Sequence, residues 1–170
     1  MNSEDFKKQV DDLFKNEKAL IYDAAMLQTI EEAKQGNPLA WLNIYESFLW
    51  GDNPKRRYSK PVFKAANNLN IAKYFCRLVI DYLKSNLGYI EKQSFCTFEQ
   101  ANTDVKDLVV ELVDLGLIEE FLSNFDEAKK IYCEAINLMT KTLEPERWDF
   151  RVFDFLQELI KLQEENQANR

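Results

Sequence analysis

Histidine is missing from this chain of 170 residues, and glycine, proline and cysteine are scarce, at four, four and three. Without histidine there is no Ser-His-Asp or Cys-His pair to activate a nucleophile, and no imidazole to hold a metal. The glycines, at 36, 51, 88 and 116, are too dispersed for a phosphate-cradling loop or a dinucleotide fingerprint. Cys76, Cys96 and Cys133 are odd in number and form no CxxC. That argues against a disulfide framework or a zinc site and fits buried thiols in a reducing, cytoplasmic setting. No run is long and apolar enough to cross a bilayer, and the charged, amphipathic start MNSEDFKKQVDDLF does not read as a signal peptide. Carboxylates are plentiful, but no two single themselves out as acid and base. The residues therefore point away from an enzyme and imply no cofactor, metal or small-molecule substrate.

What the chain has instead is helical patterning. With 46% hydrophobic residues and few breakers, an all-α fold is expected, as one domain over 1–163 with the tail EENQANR at 164–170 frayed. Asn2 or Ser3 caps a first helix striped by Phe6, Val10, Leu13 and Phe14. A second is expected from about Glu17 to Gln35, ended by Gly36 in a left-handed conformation. Asn37-Pro38 starts a third, which carries Trp41, Ile44, Tyr45 and Phe48 and stops near Gly51. A fourth runs from Asn67 or Asn68 to about Asn86, followed by a connector over Tyr89 to Asn102. Within it, Thr97 and Gln100 suit a capping box, and Thr103 is the alternative cap of the next helix. That fifth helix reaches Leu122, Ser123-Asn124 breaks it, and a sixth runs to Leu143. Pro145 opens a last helix with Trp148, Val152, Phe155, Leu156 and Leu159 on one face.

In the fifth and sixth helices, Leu112, Leu115 and Gly116 precede a small-large-small series, Ala128, Tyr132 and Ala135, at spacings of four and three. This set resembles one tetratricopeptide repeat, roughly 34 residues long in that family. Glu119 departs from the pattern, standing where the family has an aromatic, and Thr140 stands where it has proline. Trp41 and Phe48, with Ala72, Cys76 and Val79, resemble a second, divergent repeat, in which Tyr45 replaces the usual glycine. The resemblance implies antiparallel helix pairs stacked as a short repeat-like solenoid with a C-terminal capping helix. It also implies a groove that binds a peptide or partner surface. Carried over, the groove positions are Asn43, Glu46 and Trp50 in one repeat, and Asp114, Leu117, Glu120 and Phe121 in the other.

Charge adds a second clue. The formal net charge is −7, yet residues 52–66, DNPKRRYSKPVFKAA, carry +4 and read as an inserted loop, leaving −11 elsewhere. Asp104, Asp107, Glu111 and Asp114 recur at spacings of three, four and three on one helix edge. From Asp107 to Glu127 there are seven acids and neither Lys nor Arg. Like charges at these spacings repel, and a basic partner would relieve them. The alternatives are a solvated edge or one neutralised by the basic loop. An acidic surface disfavours nucleic acid and anionic membranes. The expectation is a module that binds a basic protein, such as an immunity protein or antitoxin covering a nuclease-type toxin. The alternatives are a peptide-capturing adaptor and, at the 55–64 basic loop, a nucleic-acid-binding module.

Overall fold

The computed structural model describes the backbone of residues 3–15, 24–50, 68–92 and 98–168, and their side chains outside 87–104 and 166–168. The basic stretch 52–66 lies outside the described residues. Every described element is helical: α1 Ser3–Lys15, α2 Ala24–Lys34, α3 Pro38–Trp50, α4 Leu69–Lys92, α5 Phe98–Phe121, α6 Phe125–Thr142, a 3-10 turn Pro145–Arg147, and α7 Arg151–Ala168. No strand occurs among them, and no described helix is long and apolar enough to cross a membrane. The chain forms two compact units, Met1–Val79 and Ile80–Arg170, that divide within α4.

In the N-terminal unit, α1 packs on α2 and α2 on α3. Phe6, Val10 and Phe14 recur every four residues, so they form one buried stripe along α1. Phe14 meets Phe48 of α3 and Phe75 of α4, with ring centroids 5.9 and 6.0 Å away. Lys34 reaches Asp11 of α1 and Glu31 of its own helix at 2.6 Å each. These hydrogen bonds raise its pKa against the opposing effect of burial. The stop of α2 follows from glycine. Gly36 has φ +85°, its N–H donates to Ala33 O, and the Asn37 N–H donates back to Glu32 O, the paired bonds of a Schellman turn. Asn37 Oδ1 then accepts the Leu39 N–H, and Pro38 opens α3. Asn68 starts α4 likewise, its Oδ1 accepting the N–H groups of Asn70 and Ile71.

In the C-terminal unit, α5 packs on α6, and α7 lies against both. Residues 111–119 of α5 are all buried, so this is the central helix of its unit. The three-residue link 122–124 reverses the chain into an antiparallel α5–α6 pair. Its backbone repeats the Schellman turn, with Ser123 at φ +63° in the glycine position. Ser123 N–H donates to Glu120 O, and Asn124 N–H to Glu119 O.

Several boundaries differ from the sequence reading. α4 continues through Gly88 to Lys92, and Thr103 lies inside α5 rather than at its cap. One glycine costs a helix only about 1 kcal/mol, so Gly88 alone does not end it. Pro145 opens a 3-10 turn, and α7 begins only at Arg151, because Asp149 supplies its cap: Asp149 Oδ1 accepts the Arg151 N–H, and its carbonyl the Val152 N–H. Residues 164–168, expected to fray, belong to α7.

Candidate functional site

The acidic edge of α5 splits in two. Asp104 lies on α5, and Asp107 is exposed, but Glu111 and Asp114 are buried, Asp114 to 3% exposure. The edge expected to face a partner therefore turns inward over its C-terminal half. The reason is the position of α5: covered by α6 and α7, it has no solvent face between 111 and 119. Leu117, expected in a groove, is likewise a core residue.

A charge taken out of water must be paired, and the partner here is Arg151 of α7. Its Nη1 donates to Asp114 Oδ1 at 3.1 Å, and its Nε donates to both oxygens of Asp149 at 3.0 Å. Its Nη2 donates to Asp149 Oδ2 as well. Burial alone would lower the Arg151 pKa. The Asp149 hydrogen bond and the charges of Asp114 and Asp149 outweigh it and raise the pKa, so the guanidinium stays charged. Nothing in the acid-only run 107–127 announces this counter-ion, which comes 37 residues after Asp114. The available signal was arginine beside an Asp that caps an apolar helix pattern.

Three further groups complete this polar interior. Glu119, at 0% exposure, accepts the Asn124 side-chain amide at 2.8 Å, which ties the α5–α6 turn to α5. Tyr132 donates its hydroxyl to Glu120 Oε2 at 3.0 Å. Burial, then the Glu120 charge, raises the Tyr132 pKa, so the phenol remains a donor. Burial also raises the pKa of the Glu120 carboxyl from its ordinary value, against the Tyr132 hydrogen bond and with help from Glu158. The Tyr132 ring lies flat against Gly116, where an added Cβ would come within 2.3 Å of Cε1.

Of the remaining expected positions, Asn43, Glu46 and Trp50 are half-buried on α3 in the N-terminal unit. Phe121, at the end of α5, is 54% exposed. Trp41 serves the N-terminal core, its indole N–H donating to Ala33 O at 3.0 Å and its ring edge-on to Phe6.

The sequence reading passed over one exposed feature by placing Trp148 and its neighbours on a helix face. Trp148, Phe150 and Phe153 form a trio of rings with centroids 5.9 to 6.3 Å apart. Phe150, at 58%, is the most exposed aromatic side chain among the described residues. The trio is fixed from below. The Trp148 indole donates to Leu143 O at 2.9 Å, the Asp149 N–H points at Met139 Sδ at 3.1 Å, and Arg151 locks the Asp149 carboxylate.

Among the described residues, no group of three or more Cys, Asp or Glu side chains is placed to hold a metal ion. No family model, curated protein or solved structure matches the chain.

Proposed function

We propose that the chain is a non-catalytic protein-binding module that holds a basic protein against its C-terminal unit. In this reading it is a short tetratricopeptide-like stack with α7 as its cap. The observation that carries the proposal is the segregation of charge. Residues 80–170 hold 19 acids and 10 bases, a net −9, whereas residues 1–79 hold 10 acids and 12 bases, a net +2. Exposed acids stand on α5, α6 and α7, among them Asp107, Asp126, Glu134, Asp154 and Glu158. A field of one sign attracts an oppositely charged partner and speeds encounter. The close approach of Gly116 to Tyr132 supports the repeat-like build, since a glycine facing a large ring is what the resemblance calls for. A nuclease-type toxin covered by its immunity protein or antitoxin is the partner class that this size and charge suit.

The test compares the tagged chain with an Asp107→Lys, Asp126→Lys variant as bait at low and high salt. One stoichiometric protein of high isoelectric point, lost with the variant and associating more slowly as salt rises, is the expected result. A partner that is acidic, or retained equally by both baits at every salt concentration, refutes the reading.

A further inference from the structure

The aromatic trio and the charges around it specify more than a basic partner. Phe150 projects from a segment held at both ends, by the Trp148 bond to Leu143 and by the Asp149–Arg151–Asp114 ion pairs. An exposed apolar ring on a rigid mount loses little freedom on binding, which is the condition for an energetic anchor. Glu144, Glu146 and Asp154 are exposed on either side of it in sequence, against a single exposed base within 144–154, Arg147. Asp154 follows Phe150 by four residues, in the first turn of α7. Arg151, which could have neutralised this face, is turned inward and occupied.

We infer that Trp148, Phe150 and Phe153 anchor an interface whose occupant is a cationic segment of a partner protein carrying a bulky apolar side chain. The apolar group packs on Phe150 and Phe153, the flanking Lys or Arg side chains meet Glu144, Glu146 and Asp154, and an Arg or Lys over an aromatic face adds a cation–π contact. A second copy of this chain is the poorer occupant, because it would bring its own strongly negative C-terminal unit against this one. The inference rests on the proposed function and names the surface that performs it.

Two short synthetic peptides of equal positive charge test it by calorimetry with the full chain. One interleaves lysine with leucine and tryptophan, and the other replaces those apolar residues with serine. The expected result is that the apolar peptide binds at least about tenfold more tightly, and that Phe150→Ser removes this advantage without changing binding of the serine peptide. Since Phe150 is exposed, the variant should keep its thermal midpoint, and circular dichroism checks this. Asp154→Lys should weaken both peptides and leave the preference intact. Equal binding of the two peptides, unaffected by Phe150→Ser, overturns the anchor while the charge reading stands. Binding of neither overturns both. A wild-type dimer that Phe150→Ser dissolves in sedimentation would give the patch to a second copy and overturn the inference.

Discussion

The two units stop a helix with the same backbone turn yet fill their interiors differently. In the N-terminal unit the buried hydroxyls among the described residues are those of Thr29 and Ser47, each bonded to a carbonyl four residues back on its own helix, and that of the fully buried Tyr45. No carboxylate is buried there among the described residues. The C-terminal unit buries four carboxylates, Glu111, Asp114, Glu119 and Asp149, in the half of the chain with the larger negative charge. An apolar core is held by area removed from water, which is non-directional and tolerates exchange of similar shapes. A core containing ions is held by particular bonds, and losing one partner leaves a charge stranded.

The largest effect that sharpens this contrast is expected at Arg151. Arg151→Met should leave Asp114 and Asp149 without their shared cation and destabilise the chain by about 3–5 kcal/mol in chemical denaturation. An apolar change that strands no charge in the other core, Phe75→Leu, should cost less, about 1–2 kcal/mol. Equal losses would erase the distinction between the two interiors.

Gly116→Ala comes next. Helix propensity favours alanine by about 1 kcal/mol, but the new methyl collides with a fully buried Tyr132 ring, so overpacking of about 1–3 kcal/mol should win. Combining it with Tyr132→Leu should recover part of the loss, and a double-mutant cycle with no coupling would contradict the contact.

The shared turn offers a symmetric pair. Ser123→Gly should stabilise by about 1 kcal/mol, because Ser123 holds a left-handed φ, and Gly36→Ser should cost a similar amount. No atom would crowd a Cβ at Gly36, so its loss would come from the backbone alone. Thermal midpoints of the two variants should move in opposite directions.

The smallest effect concerns pH. The Glu120 carboxyl is raised, chiefly by burial, so the folded chain keeps this proton to higher pH than the unfolded chain. Its stabilising contribution is complete below the unfolded pKa and is lost as pH rises through the folded one. Glu120→Gln retains an acceptor for Tyr132 and removes the titration. It should leave the chain slightly more stable at neutral pH and flatten this part of the slope across the acidic range in urea midpoints.

Much of the fold was legible because its signals are local. Gly36, Asn37-Pro38 and Asn68 mark helix ends by backbone conformation and by bonds two or three residues away, and each stands where the sequence placed it. The four-residue stripe of α1 is equally local. The candidate site was harder to read, because the same 3-4-3 spacing of acids suits an exposed edge and a buried one. Which of the two holds at Asp114 depends on α7 and on Arg151, and no local pattern encodes that pairing. The role of Asp149 is hidden for a related reason. Treating Pro145 as a helix start hid the capping residue four positions later, and with it the exposed mount of Phe150.

The separation of Asp114 from Arg151 also orders events during synthesis. Arg151 follows Asp114 by 37 residues and comes nine residues after α6 ends at Thr142, so the α5–α6 pair is made before its cation. Until α7 has been made, the face of α5 that α7 covers is open to water, and the α5–α6 pair lacks both that apolar cover and the Arg151 ion pair. The C-terminal unit therefore has its full set of stabilising contacts only once α7 has been made. A chain halted before Arg151 presents an open, acidic helix pair to the quality-control machinery.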